Sequence, residues 1–294
     1  MAKKSSGLLG LLKGLIIFAV VIFGLAVAVY VGIKATTGVD ILKARSQIKA
    51  IQTPPSEEEI VPDKYTDDDI VITLDNMFGS GKGEQIYKTN EDGSRKFSLT
   101  DYQGSALQST IKLTGKQVAG LANSLLHSLD QQKAFALDNA DVEILSMEFS
   151  NLQTDGKFDC KVTAKVNFKP TKEEISKDGN IFTKIIRNYI PDTLYVTTNF
   201  TAKCIAGSEF EFVESKDITL NNMKAEDTSE INKIIKKFLG EQDLAKTINK
   251  NITTLLFGDS SAEENNKGLF TCIANSNTNI EVDGTEVKIV INKE

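Results

Sequence analysis

Phe158-Asp-Cys-Lys-Val-Thr-Ala-Lys-Val-Asn-Phe168 alternates apolar and polar residues without a miss. Phe158, Cys160, Val162, Ala164, Val166 and Phe168 share one parity, while Asp159, Lys161, Thr163, Lys165 and Asn167 share the other. Successive strand side chains point to opposite faces, so this is a long antiparallel strand with one apolar and one wet face. Val142 to Phe149 precedes it, and Leu152-Gln-Thr-Asp-Gly156 supplies a turn, so residues 142–168 read as a hairpin. A second long strand places Leu194, Val196, Thr198, Phe200, Ala202 and Cys204 inward and continues past Gly207 to Phe210, Phe212, Ile218 and Leu220.

Helical spacing flanks these strands. After Thr114, the residues Val118, Leu121, Ala122, Leu125 and Leu129 fall on one face, which predicts a helix over Gly115 to Asp130. Leu99-Thr-Asp-Tyr-Gln103 and Leu113-Thr-Gly-Lys-Gln117 repeat one pattern fourteen residues apart, each Thr placed to cap a helix with Gln reaching back. His127, the single histidine, falls half a turn out of phase with Val118 and points away from the packed face. A short amphipathic helix is expected from Ile181 to Ile190, ended by Pro191. Asp227 and Glu230 cap a longer helix whose stripe is Ile231, Ile234, Ile235, Phe238 and Leu239. Gly240 kinks or breaks it before a continuation that runs to Phe257. Ile280, Val282, the Asp283-Gly284 turn, Val287, Ile289 and Ile291 form a final hairpin, read as a type I′ turn.

Upstream, Ile70-Val-Ile-Thr-Leu74 reads as a strand, with Phe78-Gly-Ser-Gly-Lys-Gly83 as a flexible hairpin tip before a strand ending at Phe97 to Thr100. That glycine run lacks the spacing of a phosphate loop. Thr53 to Pro62 is proline-rich and acidic, and with Asp67-Asp-Asp69 it reads as an extended stalk behind a mixed helical segment, Val39 to Ile51. The triple Asp lacks the ligand spacing of a calcium loop.

Gly14 to Ile33 holds 20 residues without a charge. As a helix it would span about 30 Å, the thickness of bilayer hydrocarbon. Ala26-Val27-Ala28 has the small-x-small form of a signal cleavage site, but the apolar run continues past it. Lys3, Lys4 and Lys13 on the short tail orient that tail inside and the long remainder outside. The expected organisation is a cytoplasmic tail (1–13), a transmembrane helix (14–33), a juxtamembrane helix and acidic stalk (34–69) and an extracytoplasmic domain (70–294). The expected fold class is α+β, with the N-terminal transmembrane helix followed by long antiparallel strands packed on two amphipathic helices.

The chain has 294 residues, 40% hydrophobic and 25% charged, with three cysteines, which excludes disordered and disulfide-framework classes. The first 34 positions hold four of the 34 basic residues and none of the acidic ones, so the remainder carries 30 basic against 40 acidic. That balance argues against nucleic acid, whose phosphates demand a basic surface. One outward histidine leaves no triad and no histidine metal cluster, and Cys160, Cys204 and Cys272 lack a thiolate-activating partner in sequence. No cofactor or metal is expected. Asp159 and Glu148 are the carboxylates an exported hydrolase could use, though nothing in the pattern selects them.

What stands out is apolar strand surface, with 13 of the 15 Phe outside the uncharged segment. One reading is a plain core. The other is a groove for an acyl chain between a one-sided sheet and two helices, lined by Val162, Val166, Phe168, Val196, Phe200, Ile235 and Phe238. The expected function is a membrane-anchored, non-catalytic lipid or amphiphile binder on the outer face. The alternative is a structural or scaffolding envelope protein that binds protein partners through its surface.

The order of elements resembles the YpmS-like family of single-pass envelope proteins of Gram-positive bacteria. The resemblance is carried by the N-terminal apolar segment, Ile70 to Leu74, Gln117-Val-Ala-Gly-Leu-Ala-Asn-Ser-Leu-Leu126, the hairpin ending at Pro170, the Pro191-bounded segment and the last hairpin. More distantly, long curved strands on a long helix look like the tubular lipid-binding (TULIP) architecture. That likeness implies an elongated apolar tunnel and no catalytic or cofactor residue. Thr171 to Asn180 and Asp259 to Lys267 have no counterpart in it.

Overall fold

The computed structural model describes residues 41–128, 141–169, 172–173, 191–206, 209–221, 223–224, 227, 230, 252, 256, 268–273 and 278–291. It begins with α1 (Ile41–Gln52), α2 (Glu57–Ile60) and α3 (Asp67–Phe78). The expected stalk is therefore packed structure. Ser56 and Thr66 each build a capping box, with Glu59 and Asp69 three positions on, so the acidic runs are first helical turns. Carboxylates there satisfy free N–H groups and face the positive end of the helix dipole.

Ile70 to Leu74 is helix, not strand. Ile70, Thr73, Leu74, Met77 and Phe78 are buried at helical spacing. The glycine run that follows is a helix-to-helix link into α4 (Lys82–Ile86), not a hairpin tip. Gly79 and Gly81 take positive φ there. β1 (Tyr87–Thr89) and β2 (Arg95–Phe97) pair across a turn at Asn90–Ser94. Next come α5 (Leu99–Gln103), β3 (Ile111–Thr114) and α6 (Gly115–Ser128). α5 is capped by Ser98 rather than Thr100. Ahead of α6, Thr114 and Gln117 exchange the expected capping bonds.

The largest sheet is an antiparallel meander of β4 (Asp141–Ser150), β5 (Lys157–Asn167), β6 (Thr193–Ala206), β7 (Glu209–Leu220) and β8 (Met223–Lys224), in that order. After α7 (Leu269–Ile273), β9 (Thr278–Asp283) and β10 (Glu286–Ile291) form the last hairpin. β10 lies between β9 and β3, completing a second sheet. Asp283 pairs with Glu286, so the loop is Gly284-Thr285. Only Gly284 has positive φ there, the requirement of a type II′ turn rather than the expected I′.

α6 lies against β4. A Cβ at Gly115 would sit 1.9 Å from the Met147 carbonyl oxygen, so only glycine permits that approach. The Ile144 N–H donates to Asn123 Oδ1 at 3.0 Å, tying the strand to the helix. Val118, Leu121, Ala122 and Leu125 bury against the inner face of the sheet in one continuous core that also takes Ile48, Ile51 and Tyr65. The fold so described starts at α1, well before residue 70.

The expected fold class is thus corrected. Sheet dominates, and the helices around it are mostly short. Among the described residues no helix is long and apolar enough to cross a membrane. The run 14–33, the helix 181–190 and most of 227–257 lie outside the described residues.

Candidate functional site

Five of the seven expected lining residues meet on the inner face of the meander. Val162 pairs with Thr198, Val166 with Leu194, Ala164 with Val196 and Cys160 with Phe200. Phe168 follows the end of β5, its N–H donating to the Asp192 carbonyl at 2.9 Å. Val162, Val166, Phe168, Val196 and Phe200 are each at most 2% exposed. Ile235 and Phe238 lie outside the described residues. Aromatic rings continue the face toward one end of the sheet. Phe200 lies 6.3 Å from Phe212, and Phe158, Phe210 and Phe270 follow one another at 6.0 and 5.4 Å. Such tilted and edge-on pairs are the favoured aromatic arrangements.

Beside this face the β6–β7 ladder breaks. Thr198 pairs with Ile218 and Phe200 with Ser215, so β7 carries one extra residue there. A bulge bends its strand and re-aims side chains. Here it brings Lys216 to the outer face, where its Nζ meets Asp159 Oδ1 at 2.5 Å. Asp159 also accepts from Thr201 Oγ1 at 2.8 Å and from Asn151 Nδ2 at 2.6 Å. Burial pushes this carboxyl up, but the bonds from Asn151, Lys216 and Thr201 outweigh it and hold the group below its ordinary value. All its described neighbours donate to it, so Asp159 joins three strands and a turn as a structural anion. Glu148 is exposed and pairs with Lys161 at 2.8 Å.

A second outer-face cluster escaped the sequence pattern. Glu57 on α2 meets Lys165 at 2.6 Å and Lys64 at 2.9 Å, and Lys64 also meets Glu143 at 2.5 Å. Burial raises the Glu57 carboxyl, but the two lysines more than offset this and hold it low. Both lysines are held above their ordinary range by the same carboxylates. Under them Leu145, the extra residue of a bulge in β4, packs with Val61 and Tyr195. The only sequence signal for this contact is the capping box at Ser56, which marks α2 as helix. Of the partners of Glu57, Lys165 and Tyr195 are 108 and 138 residues away and carry no local mark.

Cys160 and Cys204 are free thiols, the first buried and the second half-buried. Burial pushes both thiols up, away from thiolate chemistry. Tyr65 is likewise pushed up by burial, its hydroxyl donating to the Ile144 carbonyl at 3.0 Å. His127 is exposed, as its phase on α6 implies. Among the described residues no group of three or more His, Cys, Asp or Glu could hold a metal ion. No family model, curated protein or solved structure matches the chain.

Proposed function

We propose that the chain is a non-catalytic binder of a lipid or other amphiphile on the outer face of a membrane, taken up against the inner face of the meander. The uncharged segment 14–33 would hold it there, and the lysines before that segment set the direction. The observation that carries the reading is the convergence of Val162, Val166, Phe168, Val196 and Phe200 on one buried, predominantly apolar face. The likeness in element order to YpmS-like envelope proteins and to tubular lipid-binding architecture points the same way, less its Ile70 to Leu74 strand.

A second reading, a scaffold with a filled core, is favoured by the near-complete burial of those same residues and the ring contacts of Phe200. Native mass spectrometry of the full chain purified from cells separates the two. A co-purifying lipid supports the binder, whereas a clean apo mass with no uptake of an acyl probe overturns it. Two variants sharpen the decision. In a filled core Phe200→Ala costs about 3–5 kcal/mol, and a lipid-free binder loses less, because part of the ring already faces space its ligand occupied. Ala202, fully buried two positions on, is the plug site. Ala202→Trp should block uptake and leave a binder folded, while in a close-packed core it overpacks and destabilises. Location has its own test. Protease added to intact protoplasts should digest the part beyond residue 34, and full protection of that part would reverse the orientation.

A further inference from the structure

The inner face carries one group that a purely apolar core does not explain. Thr198 is fully buried, and among the described residues its hydroxyl has no hydrogen-bond partner. It sits at the middle of the proposed lining, opposite Val162 on one side and Ile218 on the other, with Val196 and Phe200 next on its own face. An orphaned hydroxyl in such surroundings is expensive, and valine fills the same volume without the penalty. Buried polar groups in native proteins are nearly always satisfied, so this one calls for a partner that the described residues do not supply. The bulge in β7 begins immediately beside it.

The charge on that face narrows what the partner is. Across β4 to β7 every Lys, Arg, Asp and Glu whose pairing is described falls on the outer parity, and the inward positions are Val, Ile, Leu, Met, Phe, Ala, Cys, Thr198 and Ser215, which is paired with Phe200. A carboxylate brought here would be an unpaired buried anion, far costlier than a neutral oxygen. We propose that Thr198 is the polar anchor of the amphiphile site, and that its occupant is an acyl chain whose buried oxygen is uncharged, an ester or an alcohol rather than a free acid. This rests on the binding function proposed above and adds the class of ligand.

The test uses the full chain held in amphipol and loaded with diphenylhexatriene, with chain-free amphipol subtracted. Methyl oleate, oleyl alcohol, oleate and 1-octadecene then compete for the probe at pH 8. Either neutral oxygen compound should displace it at concentrations about three- to tenfold below those of octadecene, the worth of one hydrogen bond. The ester and alcohol arms say which of the two chemistries the site prefers. Thr198→Val should erase that advantage while leaving octadecene and the far-ultraviolet spectrum unchanged, and Thr198→Ser should retain it. If Thr198→Val leaves the preference intact, or oleate outcompetes both neutral compounds, the anchor assignment is wrong while the binding function stands. If the wild-type chain takes up no diphenylhexatriene at all, the binding function fails and the assignment with it.

Discussion

Asp159→Asn tests the reasoning at the outer face. The carboxylate is 11% exposed and accepts three bonds, from Asn151, Thr201 and Lys216. Asparagine keeps one oxygen for Thr201 and Lys216 but turns an NH2 group toward the Asn151 amide, which also donates. The Thr201 bond is thereby retained, and the lost Asn151 bond is worth about 1 kcal/mol. The Lys216 pair is taken at about 1 kcal/mol rather than at the value of a buried ion pair, because the lysine is 35% exposed and regains water. The expected loss is therefore about 2 kcal/mol at pH 7 in urea unfolding of the full chain followed by far-ultraviolet circular dichroism. The pH dependence has a definite sign. The folded-state value of Asp159 is depressed, so its contribution is complete above the unfolded value, near 3.9, and is lost as pH falls through the folded value. The gap between wild type and Asp159→Asn should accordingly narrow in that acid window. A loss below about 1 kcal/mol at pH 7, or a gap that widens in acid, would refute the network as the fastening of β5, β6 and β7.

Two further outcomes follow from local geometry. Gly115→Ala should destabilise by more than about 2 kcal/mol, because its Cβ would lie 1.9 Å from the Met147 carbonyl and α6 must move off β4; a thermal midpoint equal to wild type would contradict that close approach. Glu57→Gln should cost about 1 kcal/mol at low salt through loss of the Lys64 and Lys165 pairs, with the difference shrinking in 1 M NaCl. Its depressed carboxyl places the loss at pH above the ordinary carboxylate range, and a salt-independent difference would mean the pairs contribute little.

The meander was readable because its period is unambiguous. Each inward residue from Phe158 to Phe168 is buried, and Leu194 to Phe200 continue the pattern on the next strand. α6 was equally plain, from Thr114 to the phase of His127. The failures share one cause. In Ile70 to Leu74 a β-branched apolar run outweighed the Thr66-x-x-Asp69 box before it, although Ile70, Leu74, Met77 and Phe78 have the period of a helix. The prolines and acids of 53–69 were read by composition, which describes solvated chain as readily as capped first turns. The Glu57 cluster depends on contacts between segments far apart in the chain, and the bulge at Ser215–Ile218 on strand register, which no local pattern encodes. Of the lining residues, the shared face of Val162, Val166, Phe168, Val196 and Phe200 was legible from parity alone. The isolation of the Thr198 hydroxyl was not, since it depends on what every neighbour offers.

The pairing of β3 with β10 sets an order of assembly. The meander pairs strands that are consecutive in the chain and can form as it emerges, because no connection in it is longer than the 25 residues 168–192 between β5 and β6. β3 is different. Its partner, Glu286–Ile289, is about 175 residues further along the chain, and Tyr102 likewise donates to the Ile273 carbonyl at 2.7 Å. During synthesis from the N-terminus, Leu113 therefore waits for the last hairpin to arrive, and the Tyr102 hydroxyl for the Ile273 carbonyl of α7. The closing residues act as a completion check: a chain that stops short of β10 has a formed meander but an open edge on β3, the condition that invites proteolysis or pairing with another chain.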